Sequence, residues 1–99
     1  MVGPIYKLFT TRMTEAWYQL SLEEQQSLQA KVAQALGSVG GKGIVMCTPA
    51  WSTEQWDLFG VEEFPDIEAV HKHTELLYEL NWPRYSQGTS MLGTQWPPA

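Results

Sequence analysis

The sequence predicts one α+β domain whose elements follow in the order β-α-β-β-α-β. Two segments carry apolar residues at helical spacing behind residues that favour a helix start. Four short segments are rich in apolar, aromatic or β-branched residues and are separated by glycine, proline and polar residues. The chain has 99 residues, 43% hydrophobic and 17% charged, which suits a single domain over residues 1–99 with one core.

The first half of the chain predicts a strand, a short helical turn and a long helix. Residues 5–11 are rich in β-branched and aromatic side chains and predict the first strand. A short helical turn is expected within residues 13–20. Ser21 and Glu24 have the spacing of a capping box, and the apolar residues behind them predict a helix over residues 22–37.

The second half predicts two strands, a second helix and a last strand. Residues 43–48 form a continuous apolar strand, and residues 55–62 form the next one after a short break, which favours a hairpin. Residues 64–81 predict the second helix, with a proline and an aspartate in its opening turn. Residues 88–95 predict the last strand, so the core spans about 4–95, and residues 96–99 are expected to form an extended arm.

This order is the ferredoxin-like arrangement, a four-stranded antiparallel sheet with two helices on one face. The other face of such a sheet is bare, yet the second strand is apolar on both sides. Ile44, Met46 and Thr48 share one side of it, and Val45 and Cys47 share the other. A strand that is apolar on both sides is normally covered on both sides. Because the chain has no third layer, we expect a homodimer whose sheets pack face to face.

Composition excludes several classes of partner. The net charge is −5, and the six Lys and Arg residues are scattered, which predicts neither nucleic-acid binding nor attraction to an anionic membrane. Cys47 is the single cysteine, which excludes an intramolecular disulfide and suits a reducing compartment. The N-terminus has no signal-peptide pattern and no segment reaches the length of a membrane span, so we expect a cytoplasmic protein.

His73 is the most informative residue for function. On the wheel of the second helix it lies near the centre of an apolar stripe, whereas His71 points to the far side; the stripe consists of Ala69, Val70, His73, Leu76, Leu77 and Leu80. A buried imidazole needs a hydrogen-bond partner or a cavity with something polar in it. One interpretation is a core histidine satisfied by a backbone carbonyl or a tyrosine. The other is a histidine that lines a small-molecule pocket.

If His73 lines a small-molecule pocket, the aromatic residues of the chain are candidates for the walls of that pocket. Tyr6 and Leu8 share one face of the first strand, Trp56 and Leu58 share one face of the third, and either pair is placed to face the helices. Residues in the loops are candidates for a lid or rim. The predicted ligand-binding residues are Tyr6, Leu8, Trp17, Tyr18, Trp51, Trp56 and Leu77. For each aromatic residue, packing in the core or in a dimer interface is the alternative.

Two segments carry a resemblance to a known family. Residues 66–73 are similar to the second-helix pattern of the dimeric α+β barrel superfamily, with an acidic start, a central alanine and a histidine four residues later, and residues 16–21 resemble the signature of an uncharacterised branch. The superfamily includes muconolactone isomerase-like and antibiotic-biosynthesis monooxygenase-like proteins. The resemblance implies a homodimer with a pocket between sheet and helices. It also implies, as alternatives, cofactor-independent chemistry or a haem held by a helix histidine. The superfamily's monooxygenases use a polar–aromatic group similar to Asn81, Arg84 and Tyr85.

The sequence gives less support to a metal site, to an anion site at Arg12 and to a role for the acidic residues. His71 and His73 lie about 200° apart on a helix and cannot converge on one metal ion, so no metal site is expected. Arg12 is placed to hold an anionic group, or to lie in solvent or pair with a surface acid. A group of acidic residues is most simply a solvated edge and first-turn helix charges; these are Glu62, Glu63, Asp66 and Glu68.

Two functions remain open after these observations. In the first, a homodimeric barrel binds an apolar or aromatic small molecule without a cofactor. His73 is then its polar handle and, if the protein is an enzyme, its candidate acid–base group in an isomerisation, cyclisation or oxygenation. In the second, the protein is a non-catalytic ligand-binding or structural dimer in which His73 is a satisfied core residue.

Overall fold

The structure is a computed structural model that describes residues 3–98. Its four strands form one antiparallel sheet in the order β2-β3-β1-β4. The elements, in chain order, are β1 (Ile5–Met13), α1 (Glu15–Tyr18), α2 (Leu22–Ser38), β2 (Lys42–Cys47), β3 (Leu58–Phe64), α3 (Ile67–Glu79), a 3-10 turn (Trp82–Arg84) and β4 (Ser86–Gly93). The predicted ferredoxin-like βαββαβ arrangement is therefore confirmed.

The two long helices begin where their capping residues predict. The Ser21 hydroxyl accepts a hydrogen bond from the Glu24 amide at 3.1 Å, and the Glu24 carboxylate accepts one from the Ser21 amide at 2.9 Å. This reciprocal pair satisfies two of the amides that the start of α2 leaves without intrahelical partners. At the start of α3, the Asp66 carboxylate accepts a hydrogen bond from the Ala69 amide at 2.8 Å.

The third strand was predicted too early in the chain. β3 begins at Leu58 and ends at Phe64, whereas the sequence predicted residues 55–62. Phe64 pairs with Ile5 of β1 and is fully buried, so this aromatic residue completes the sheet instead of opening the helix. β4 is displaced in the other direction and covers residues 86–93 instead of 88–95, because its pairing with β1 starts at Met13.

Strand register assigns each side chain to one face of the sheet. The face toward the helices carries Ile5, Lys7 and Phe9 of β1 and their partners on β3, which are Phe64, Glu62 and Gly60. The core of buried side chains lies at one end of this face. It consists of Ile5, Phe64, Ala69 and Val70, with Leu36 and Val39 packed against it.

The opposite face, called here the outer face, carries an apolar row across all four strands. Val45 pairs with Val61, Val61 with Leu8, and Leu8 with Met91, so their side chains are neighbours from β2 to β4. Leu8, Val45 and Met91 are 41%, 48% and 64% exposed. Both long helices lie on the other side, and no described element of the chain covers this row.

Two further expectations concern the chain as a whole. Within residues 3–98 no helix is long and apolar enough to cross a membrane. Of the predicted C-terminal arm, residues 96–98 are exposed and follow β4 without joining the sheet, while Ala99 lies outside the described residues.

Candidate functional site

His73 is buried, as its position on the apolar stripe predicts. Its side chain is 2% exposed, while His71 of the same helix is exposed. The Phe64 ring packs against it with ring centroids 5.2 Å apart and the planes tilted by 49°. Nδ1 of His73 is buried and has no hydrogen-bond partner among the described residues. Of the partners expected for a satisfied core histidine, neither a backbone carbonyl nor a tyrosine hydroxyl among the described residues bonds Nδ1.

The imidazole borders an open space between the sheet and the helices, called here the inner cavity. One lobe, of about 250 Å³, is lined by His73 and Leu77 of α3 together with strand residues that include Lys7, Phe9 and Glu62. A second lobe, of about 380 Å³, extends toward Trp17 and Gln29. The lobes share five lining residues and so adjoin each other; these are Val32, Met46, Leu58, Glu62 and Trp82. Ligand pockets typically measure about 300–1,000 Å³, and the two lobes together fall within this range.

Two charged side chains enter the inner cavity from the sheet. Lys7 of β1 and Glu62 of β3 are directly paired on antiparallel strands. Both side chains lie on the face of the sheet that is turned toward the helices. Neither is exposed. Such directly opposed residues have Cβ atoms about 5 Å apart. The inner cavity therefore contains an ammonium, a carboxyl and an imidazole group on three different elements.

Burial moves the pKa values of two of these groups in opposite directions. The pKa of His73 falls from 6.5 to about 4, first because burial disfavours the imidazolium and second because the positive charge of Lys7 repels it. Burial raises the pKa of Glu62, and the nearby Lys7 charge opposes this rise. At neutral pH the imidazole is consequently neutral and offers one hydrogen-bond donor and one acceptor.

Sequence reasoning missed Lys7 and placed Glu62 wrongly. Glu62 was expected on a solvated acidic edge, but it points under the helices because it shares the parity of Phe64 in β3. The available signal was alternation: Lys7 lies between Ile5 and Phe9, which both face the helices. A charged residue at an inward-facing position of a strand is a departure from the apolar pattern and predicts a polar group in the cavity.

Two predicted wall residues do line the inner cavity. Leu77 contributes to the lobe that contains His73. Trp17, which is 6% exposed, lines the other lobe and meets the Trp82 ring edge to face at a centroid distance of 6.0 Å. Trp82 itself, in the 3-10 turn, was not among the predicted site residues, although it lines both lobes.

Tyr6 and Leu8 are on the wrong side of the sheet for this pocket. Register places them on the outer face, opposite Lys7 and His73, where they border a shallow apolar depression that also includes Val61. The sequence left open which pair of alternating residues faces the helices. In the structure, the face of β1 that carries Lys7 is the one turned toward the helices, because Ile5 and Phe9 share that face and pack beneath the helices.

The remaining aromatic candidates lie away from the inner cavity. Trp56 precedes β3 and does not share a strand face with Leu58, because the strand begins only at Leu58. Trp51 is 87% exposed in the connection between β2 and β3, and Tyr18 is 63% exposed at the end of α1. None of Trp51, Trp56 and Tyr18 lines either lobe.

Polar residues that the sequence raised as candidates have structural contacts elsewhere. Arg12 lies on the outer face and donates from Nη1 to the Glu54 carbonyl at 3.2 Å. Asn81 adopts a left-handed conformation with φ of 58°, which asparagine tolerates well, and so turns the chain after α3. The Arg84 and Tyr85 carbonyls accept hydrogen bonds from the Thr14 hydroxyl and amide, which tie the 3-10 turn to the start of α1.

Two observations bear on whether the described residues could hold a metal or haem. No group of three or more His, Cys, Asp or Glu side chains converges on one point within residues 3–98. A histidine that ligates haem iron normally donates its second ring N–H to a carboxylate, a carbonyl or water. Nδ1 of His73 is buried without any such protein acceptor. A haem held by His73 would therefore lack, among the described residues, the usual acceptor for the second ring N–H.

Solved structures share this fold. RPA0582, a protein of unknown function from Rhodopseudomonas palustris, matches 99% of this chain and 86% of its own length, with a TM-score of 0.71 and 17% identity. A mutant chlorite dismutase from Candidatus Nitrospira defluvii matches the whole chain over 43% of its own length, with a TM-score of 0.75 and 16% identity. The chlorite dismutase-like protein TA0507 matches 94% of this chain over 45% of its own length, with a TM-score of 0.71 and 16% identity.

The sequence itself gives no closer relationship, since no family model and no curated protein matches it. At 16–17% identity the structural likeness shows the fold alone. The chain spans less than half the length of the two chlorite dismutase-like proteins. These comparisons assign the chain to the ferredoxin-like α+β fold.

Proposed function

We propose that this protein binds an aromatic small molecule in the inner cavity, with His73 as the polar handle. The observation that carries the proposal is the buried Nδ1 of His73, which has no partner among the described residues although the imidazole borders an open space. Buried polar groups are normally hydrogen-bonded, so one left unpaired beside a cavity marks a place for a ligand. The apolar walls, which include Phe9, Leu77 and Trp82, suit a ring.

The low pKa favours His73 as a hydrogen-bonding handle over His73 as a general base. A general base works best when its pKa is close to the working pH. With a pKa of about 4, the imidazole is a weak base at neutral pH. It still donates or accepts a hydrogen bond in its neutral form, which is what binding a neutral hydroxyl or carbonyl requires.

Binding of 2-naphthalenemethanol, a neutral aromatic alcohol, tests the proposal by isothermal titration calorimetry. We expect saturable binding to the wild type and weaker binding to Val32→Trp, because Val32 lines both lobes and an indole at this position takes up space where they adjoin. Gln26→Trp, which puts the same residue on an exposed position of α2, is the matched control and keeps binding. His73→Leu is expected to weaken binding while the protein stays folded. Equal binding by the wild type and Val32→Trp contradicts the proposal.

A second candidate function, acid–base catalysis, is favoured by Glu62. Burial raises its pKa toward neutrality, which is the direction that suits a carboxyl group acting as acid or base. Exchange of the acidic C–H protons of 2-tetralone in D₂O, followed by NMR, tests this candidate. Faster exchange with the wild type than with Glu62→Gln supports it, and exchange at the buffer rate with both proteins contradicts it.

The proposed assembly is a homodimer that covers the outer face. The row Val45, Val61, Leu8 and Met91 is an apolar band across the whole sheet, and apolar bands of this kind are typical of interfaces. A second copy brings an identical band, as a two-fold interface requires. Leu8→Asp is expected to give monomers in analytical ultracentrifugation. Leu22→Asp alters a leucine that is 70% exposed on α2, and is expected to leave the dimer intact. A monomeric wild type contradicts the assembly.

A further inference from the structure

The Lys7 ammonium is the one permanent positive charge in the wall of the inner cavity. Lys7 is half-buried and faces Glu62 across the strand pair. Over residues 3–98, the only ion pair within 4.0 Å joins Lys72 and Glu75 on the exposed side of α3. The Lys7 ammonium therefore has no carboxylate in contact with it. A charge that is partly removed from water without a close partner is costly unless something else compensates it.

The other walls add no further Lys or Arg side chain to the inner cavity. Three titratable side chains line the inner cavity, and they are Lys7 of β1, Glu62 of β3 and His73 of α3. The residues contributed by α2, β2, β4 and the 3-10 turn include Val32, Met46, Ser90 and Trp82, and none of the lining residues from these elements titrates. His73 is neutral near pH 7, and burial raises the pKa of Glu62 against the opposing charge of Lys7.

We propose that the ligand of the inner cavity is an aromatic carboxylate, whose charged oxygens contact the Lys7 ammonium while its ring lies among Phe9, Leu77 and Trp82. This inference deepens the proposed function and rests on it. Lysine recognises a carboxylate as a point charge, and a charge-assisted hydrogen bond is stronger than a neutral one. His73 then bonds a second polar group of the ligand. Arg12, which the sequence offered for an anion, is on the other face of the sheet.

Glu62 makes the binding of an anion depend on pH. A ligand carboxylate beside Glu62 repels its charged form, so the complex favours protonated Glu62 and binding takes up a proton. Binding is therefore expected to weaken as pH rises from 5 to 8. In Glu62→Gln the carboxyl is replaced by a neutral amide, and this dependence is lost. His73, with its pKa of about 4, does not titrate in this range in the free protein.

The experiment compares 2-naphthoate with its neutral counterpart, 2-naphthalenemethanol, by isothermal titration calorimetry. We expect the wild type to bind the naphthoate about ten-fold or more tightly than the alcohol, as a charge-assisted contact implies. Lys7→Met keeps the apolar stem, removes the charge and is expected to abolish the preference. Lys72→Met, which removes an exposed charge of α3, is the matched control and keeps it. Circular dichroism verifies that each variant is folded, and Lys7→Gln replaces Lys7→Met if that variant is not.

The possible outcomes distinguish failure of the inference alone from failure of the proposed function. A preference for naphthoate that disappears in the Lys7 variant and persists in Lys72→Met supports the inference. Binding of both probes with equal affinity, or a preference that survives Lys7→Met, overturns the inference and leaves the proposed function standing. Failure of both probes to bind overturns the inference together with the proposed function.

Discussion

Lys7 and Glu62 are cross-strand partners whose side chains both enter the space beneath the helices, on the same side of the sheet as His73. The three residues are far apart in sequence and come from β1, β3 and α3. Their placement follows from strand parity and from the apolar stripe of α3. Because Lys7 disfavours the imidazolium and opposes the rise in the pKa of Glu62, the three groups form one electrostatic unit.

Acidification is expected to destabilise the protein through His73. The pKa of the folded state is about 4 and the ordinary value is 6.5, so between these values the unfolded chain binds the proton and the folded protein does not. At about 1.4 kcal/mol per pKa unit, the free energy of unfolding falls by about 3 kcal/mol as pH decreases through this window. The measurement is urea unfolding of the wild type and His73→Leu at pH 4 to 7 and fixed protein concentration. If the free energies of unfolding of the wild type and His73→Leu differ by the same amount at every pH in this range, the prediction is wrong.

Glu62 is expected to make the free energy of unfolding depend on pH in the opposite direction. Its pKa is raised in the folded state, so just above its ordinary value of 4.5 the folded protein binds more protons than the unfolded chain. The contribution of Glu62 to stability is therefore present at low pH and lost as pH rises through the folded-state pKa. Relative to the wild type, Glu62→Gln should gain stability as pH increases from 5 to 8. A difference between wild type and Glu62→Gln that stays constant from pH 5 to 8 would contradict a raised pKa of Glu62 in the folded protein.

Gly60 leaves room for the Phe9 ring and the Val45 carbonyl, which both lie close to its backbone. A Cβ at this position would lie 2.6 Å from the Val45 carbonyl oxygen and 2.9 Å from Cζ of Phe9. We expect Gly60→Ala to lower the free energy of unfolding by about 1–3 kcal/mol, as overpacked sites do. Gly43→Ala is the matched control in the same sheet, because a Cβ there meets no atom within 4 Å. Similar stability of the two variants would contradict this explanation.

The capping box at the start of α2 is expected to contribute measurably to stability. Ser21→Ala removes the hydroxyl that accepts from the Glu24 amide, and loss of such a cap costs about 1 kcal/mol. Ser27→Ala alters an exposed serine inside the same helix and is expected to be neutral or slightly stabilising, because alanine favours helix. Thermal unfolding of both variants checks the prediction, and an equal effect of the two substitutions would count against the cap.

The fold and the helix starts could be predicted because they depend on local patterns. Helical spacing and capping residues are properties of adjacent positions, and both Ser21 and Asp66 cap their helices in the structure. The burial of His73 followed from the same kind of periodicity. The start of β3 was less predictable, because Trp56 has high β propensity although the strand begins two residues later, where pairing with β1 becomes possible.

The residues that line the inner cavity could not be predicted from the alternation of side chains along a strand alone. A strand pattern shows which residues share a face, but only packing against other elements decides which face is inside. Tyr6 and Leu8 were therefore assigned to the pocket, although Lys7 occupies the inward position between Ile5 and Phe9. Trp82 was overlooked because it follows the end of α3, where the left-handed Asn81 turns the chain back over the sheet.

The most direct measurement of the central claim uses the two histidines as probe and internal control. In protein labelled with ¹⁵N in the histidine rings, saturating 2-naphthoate is expected to shift the ring nitrogen signals of His73. The signals of His71, which is exposed on the far side of α3, should stay in place. Unchanged His73 signals under conditions where calorimetry shows the naphthoate to be bound would place the ligand outside the inner cavity and contradict the account.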